Sequence, residues 1–128
     1  MAYQVATGHD NEAGFVTLNP QPRSEGIQYP RWVQAASALY PDGAPFVVWE
    51  WENLTKAQYN TIILAFGLTH SPDDVEALVT IRTIGYDRAT FANWNGTVVH
   101  RRGADYDTEF SLGVYRRATF TIKKLVTT

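Results

Sequence analysis

The sequence predicts a mainly β domain with one α-helix, an antiparallel β-sandwich or split barrel flanked by that helix. Three observations carry this. Apolar and polar residues alternate with the two-residue period of a strand in three separated stretches, around Val47–Trp51, Ala77–Ile81 and Ala118–Ile122. A single stretch, Tyr59, Ile62, Ile63 and Phe66, repeats with helical spacing instead. Between these, Pro, Gly, Asn and Asp punctuate the chain at short intervals, as in sheets joined by tight turns.

The first 30 residues are rich in breakers: Gly8, Asn11, Gly14, Asn19, Pro20, Pro22, Ser24, Gly26 and Pro30. They read as an N-terminal arm or loop-rich extension, with short extended pieces at 3–7 and 14–18. Tyr3, Val5, Phe15, Val16 and Leu18 are apolar enough to dock, either on this domain or on a neighbouring subunit. The domain proper is expected over 31–128. Arg31 to Leu39 reads as a strand, with a helix as the alternative because of Ala35, Ala36 and Ala38. Strand is favoured because Tyr40-Pro41-Asp42-Gly43 supplies a turn and Pro45 to Glu52 a partner.

The helix is expected over 55–66. Thr55 and Gln58 form a T-x-x-Q capping box, and Leu54 and Tyr59 hold the hydrophobic staple positions around it. Gly67 ends it with a residue that tolerates positive φ. A polar loop with Pro72 leads to a strand ending near Thr83, and Gly85-Tyr86-Asp87 is a turn. Thr90 to His100 is extended, with Asn95-Gly96 inside it as either a hairpin turn or a bulge. The short remaining length favours one long bulged strand. A charged loop over 101–107 precedes a last strand within 113–126.

Length and composition bound the function. At 128 residues one domain is expected, able to bury roughly two thirds of its unfolded surface. The apolar fraction of 45%, with four Trp, seven Tyr and six Phe, supports a folded core. Eleven basic against thirteen acidic residues give a net charge of −2, without the excess that a dedicated nucleic-acid binder needs. No cysteine is present, so disulfides and thiolate metal sites are excluded. The N-terminus has neither the basic start nor the apolar run of a signal peptide, and no window approaches a membrane span, so a soluble protein made in the cytoplasm is expected.

No catalytic, cofactor or metal set emerges. His9, His70 and His100 lack ligand spacing, and Asp73-Asp74 and Asp105-Tyr106-Asp107 offer too few ordered oxygens for calcium. Nucleophile-elbow, P-loop and dinucleotide glycine patterns are absent. Arg101-Arg102, Arg116-Arg117 and Lys123-Lys124 read as strand-edge guards or subunit salt bridges, with a phosphate-binding surface as the alternative. Trp32, Trp49, Trp51 and Trp94 read as core or interface, with a sugar-stacking platform as the alternative. Asn53-Leu54-Thr55 matches a glycosylation pattern, but Thr55 is better used as the helix cap.

The order of elements over residues 31–126 carries a resemblance. A strand, Pro-Asp-Gly, the aromatic strand Phe46 to Trp51, Leu54-Thr55-Lys56-Ala57-Gln58-Tyr59 opening a helix, Val79-Thr80-Ile81-Arg82-Thr83, an extended Tyr86 to His100 and a last strand Arg117 to Leu125 follow one another. This resembles the minor tail and tail-tube-like virion proteins of long-tailed bacteriophages. The resemblance implies a tail-tube-like sandwich or split barrel, non-enzymatic, assembling into a ring or hub of the virion tail. Its implied partners are copies of itself and other tail proteins, with DNA passing through a lumen without specific binding and no membrane contact. Tyr3, Val5, Phe15, Arg101, Arg102 and Tyr106 are the expected subunit-interface residues. Removing residues 1–18 is then expected to leave a folded domain that no longer assembles. A carbohydrate-binding or host-recognition module is the alternative, expected to expose a row of Trp and Tyr.

Overall fold

A computed structural model describes residues 2–36, 38–68, 75–100 and 114–128. It is mainly β, and one curled antiparallel sheet forms a half-barrel. Six strands run in the order β2-β1-β6-β7-β8-β5. They are β1 (Gln4–Thr7), β2 (Val16–Thr17), β5 (Val47–Thr55), β6 (Val75–Ile84), β7 (Phe91–His100) and β8 (Val114–Thr127). A separate two-stranded hairpin pairs β3 (Arg31–Ala35) with β4 (Ala38–Asp42). The one α-helix among the described residues, α1 (Lys56–Phe66), packs its buried face into the core that the sheet encloses.

The helix ends follow from local chemistry. The Gln58 N–H donates to Thr55 Oγ1 at 3.2 Å, and the Thr55 N–H donates to Gln58 Oε1 at 3.0 Å, completing the capping box. At the other end Gly67 takes φ 75°, so its N–H reaches Leu64 O and the Leu68 N–H reaches Ile63 O. Tyr59, Ile62, Ile63 and Phe66 are the buried face, the stripe that the spacing predicts. They meet Trp49 and Phe120, which lie opposite each other on β5 and β8.

The turn expected at Tyr40-Pro41-Asp42-Gly43 is replaced by a different arrangement. The chain reverses earlier, at Ala36 with φ 54°, and Pro41 lies inside β4 opposite Trp32. Proline is tolerated there because both strands of a two-stranded hairpin are edge strands. β5 pairs instead with β8, from Val47 with Ile122 to Thr55 with Val114. That choice buries Val47, Trp49 and Trp51 on the same face as Ala118, Phe120 and Ile122, an apolar gain that the hairpin alone could not match.

β7 is one strand through Asn95 and Gly96, and the expected bulge is present as a register shift between Asn95 and Thr97. The extra residue sits on β8: Asn95 pairs with Val126 and Thr97 with Lys123, so Lys124 and Leu125 together face Gly96. A Cβ on Gly96 would lie 2.7 Å from both Ile122 Cγ2 and Leu125 Cδ2, so only glycine fits. The bulge also resets the alternation. Leu125 turns into the core and Lys124, at φ 56°, stays outside.

Residues 2–30 are bound into this sheet on both sides. β1 pairs along β6 from Gln4 with Arg82 to Thr7 with Val79. Tyr3, Val5 and Leu18 belong to the common core, and the Tyr3 ring stands edge-on to Trp49 and Phe91 at 5.5 and 5.1 Å. The Gly8–Asn11 loop clamps the outer face: Thr80 Oγ1 donates to Gly8 O at 2.8 Å, and Asp10 and Asn95 exchange hydrogen bonds at 2.8 and 2.9 Å. Beyond β2 the chain crosses to the opposite edge of the sheet. There Trp51 Nε1 donates to Pro20 O at 2.7 Å, and bridges join Arg23 to Glu50 and Gln28 to Phe46. The segment read as an arm therefore supplies a strand, core side chains and the cover of β5. The expectation that its first 18 residues are dispensable for folding is revised.

Candidate functional site

The residues nominated for subunit contact fall into three groups. Tyr3 and Val5 face the domain's own interior, Val5 with no exposed surface, so their contacts are intramolecular. Burial also pushes the Tyr3 phenol above its ordinary pKa, as in an apolar interior. Phe15 is half-buried beside β2, where the neighbouring Val16 is exposed. Arg101, Arg102 and Tyr106 lie outside the described residues, as does His70.

The surface best suited to recognition includes none of those six residues. β3 and β4 pair with each other and with no other described strand. Trp32 (42% exposed), Val33 (47%) and Leu39 (63%) stand in solvent. Trp32 and Val33 are consecutive, so they point to opposite faces of the ribbon, and both faces are open. At its base Trp32 meets Tyr29 and Tyr86, with the three ring centroids 5.8–6.0 Å apart and the rings tilted or edge-on. Two of the other tryptophans, Trp49 and Trp51, are buried, and Trp94 packs against the core.

The turn that presents Tyr86 is built by Asp87. Its Oδ1 accepts the N–H groups of Thr90 and Ala89, each at 3.0 Å, and the Gly85 N–H donates to Thr90 O at 2.9 Å. The Thr90 bond first, and the Ala89 bond after it, hold the Asp87 carboxyl below its usual pKa. Because the folded value is depressed, this support is present above the unfolded value of about 3.9 and is lost as pH falls through the folded value. The Thr90 and Ala89 amide resonances are expected to titrate with a midpoint below about 3.9, and to lose that titration in Asp87→Ala.

Two further polar features belong to the framework. His100 is buried and stacks on Phe120 at 4.2 Å. Its Nδ1 lies 3.0 Å from Thr119 O, a carbonyl that can only accept, so Nδ1 carries a proton, and its Nε2 shares a hydrogen bond with the Tyr59 hydroxyl at 2.6 Å. On the outer face, Lys123 Nζ pairs with Glu76 at 2.8 Å, and that ammonium holds the Glu76 carboxyl below its usual range. Lys123 thus acts as a cross-strand partner between β8 and β6. Among the described residues no group of three His, Cys, Asp or Glu is placed to hold a metal ion, and no helix is long and apolar enough to cross a membrane.

Trp32 is among the aromatics that the sequence singles out, but Tyr29 and Tyr86 are not. They come together only through the fold, because the β6–β7 turn and the β3 entry meet at the same end of the half-barrel. No protein family, curated protein or solved structure matches this chain.

Proposed function

We propose that this chain is a non-enzymatic structural component of a phage-type tail, assembling through subunit contacts into a ring or hub. The observation that carries the reading is the β3–β4 hairpin. A two-stranded ribbon is marginally stable alone, and this one leaves Trp32, Val33 and Leu39 in water. Covering them on a neighbouring copy removes that apolar surface from solvent, and ring symmetry repeats the contact around a closed assembly. The partners in this reading are further copies and other tail proteins, around a lumen that passes DNA without binding its sequence, in the virion tail.

The test is light scattering of the purified protein with negative-stain imaging at high concentration, beside the Val33→Asp and Leu39→Asp variants. Rings or tubes that both substitutions dissolve support assembly through the hairpin. Assemblies that ignore them move the contact elsewhere, and a monomer at every concentration, also with its partner proteins, sinks the reading. The Tyr29–Trp32–Tyr86 cluster favours a second reading, carbohydrate or host recognition. That reading expects glycan capture by the wild type and its loss in Trp32→Ala.

A further inference from the structure

The outer edge of β5 is covered unevenly. Gln28 and Phe46 exchange main-chain hydrogen bonds at 2.8 and 2.9 Å, and Arg23 and Glu50 do so at 2.8 and 3.0 Å. Main-chain groups alternate sides along a strand, so Val48 turns its N–H and C=O to the same side as Phe46 and Glu50. Between the two bridges the covering segment has one residue more than β5, 24–27 against 47–49, and it bows away. The result is an open hollow of about 290 Å³ lined by Arg23, Ser24, Glu25, Gln28, Val48 and Glu50. Among the described residues, no hydrogen bond reaches the main chain of Val48 from that side.

The same chain displays what fits such a pair. The Tyr3 N–H donates to Gln21 Oε1 at 2.6 Å, and Gln21 Nε2 donates to Tyr3 O at 3.2 Å beside the Leu18 N–H, so one side-chain carboxamide meets both main-chain groups of the residue that leads into β1. The carboxamide in the lining of the hollow, that of Gln28, donates to Glu25 Oε2 at 3.4 Å. A carboxylate has no donor for the Val48 carbonyl and would face Glu25 and Glu50. An ammonium has no acceptor for the Val48 N–H. A primary carboxamide supplies both side by side.

We propose that the hollow at Val48 is a recognition site for a primary carboxamide, with the Val48 N–H donating to its oxygen and its NH₂ donating to the Val48 carbonyl. The site stands on this geometry alone. Its source rests on the assembly reading: Gln34, exposed on β3, is the one carboxamide within the β3 and β4 strands that this reading seats on a second copy.

The full-length chain carrying Gln34→Ala, in which no Gln34 of a second copy competes for the hollow, is titrated with propionamide while ¹H–¹⁵N correlation spectra are recorded, with propionate and methyl acetate as controls. The Val48 amide resonance is expected to move saturably with propionamide and to bind either control at least about fivefold more weakly, the worth of one net hydrogen bond. No saturable movement at Val48, or equal movement with the ester, overturns the site. A dilution series without additive, run on the wild type and on Gln34→Ala, reads the source. A concentration-dependent Val48 shift that disappears in Gln34→Ala supports the second copy, and a shift that persists overturns that source. Light scattering on the wild-type and Gln34→Ala samples separates the two readings: chains that stay monomeric, also with their partner proteins, yet bind propionamide sink assembly and keep the site, whereas wild-type assemblies with no propionamide response at Val48 of Gln34→Ala do the reverse.

Discussion

Deletion of residues 1–18 is expected to abolish the cooperative unfolding transition. The truncation removes β1 and β2 and takes Tyr3, Val5 and Leu18 out of the core. Burial of such side chains is worth about 1.5–3 kcal/mol each. Three of them sum to the order of the whole stability of a small domain, about 5–15 kcal/mol. The loss extends further, because β6 becomes an open edge, and Thr80 and Asn95 lose the Gly8–Asn11 loop that satisfies them. Near-ultraviolet circular dichroism and urea titration of the truncated chain check this. A truncated chain that still melts cooperatively within about 2 kcal/mol of wild type would show β1 to be dispensable, against its place in the sheet.

Phe120→Ala is expected to be the most damaging single substitution. Phe120 has no exposed surface and touches three elements around the core. It stacks on Phe66 of the helix at 4.7 Å, on His100 of β7 at 4.2 Å and stands edge-on to Trp51 of β5 at 5.5 Å. Truncating a buried Phe costs about 3–5 kcal/mol, depending on how far the site collapses. Collapse is restricted here because His100 is fixed by hydrogen bonds on both ring nitrogens. Calorimetry should give a melting temperature lower by more than about 10 °C. Phe120→Leu, which keeps most of the volume, is expected to lose well under half as much.

The helix is legible in the sequence because each of its signals is local. Thr55, Gln58, the Tyr59–Phe66 stripe and Gly67 lie within thirteen residues of one another and need no distant partner. The long bulged β7 is legible for a similar reason, and the bulge's location on β8 has a signal in hindsight: alternation from Ala118 would point Lys124 inward and Leu125 outward. Strand partners are another matter. Pro41-Asp42-Gly43 is a sound turn signal, yet β5 has more apolar surface to bury against β8, and that comparison is invisible to a local pattern. The arm illustrates the same limit. Breakers at 8–30 describe a chain that bends often, and bending often is also how a segment wraps from one sheet edge to the other. In the candidate surface, Trp32 is conspicuous by type. Its cluster with Tyr29 and Tyr86 depends on two elements separated by more than fifty residues.

The strand order has a kinetic consequence. The neighbours with short connections are β3 with β4 and β6 with β7, and both form hairpins that can close by themselves. β1 has to wait for β6, which begins at Val75, and β5 has to wait for β8, whose pairing runs as far as Ile122. Loops of that length close slowly, and folds dominated by such pairings form in milliseconds to seconds instead of microseconds. During synthesis the β1 edge can be sealed once Ile84 has left the ribosome, but the β5 edge stays open until Ile122 has followed. The growing chain therefore passes through a stage in which Trp49 and Trp51 are already made but uncovered, the stage at which chaperone capture or premature association would act.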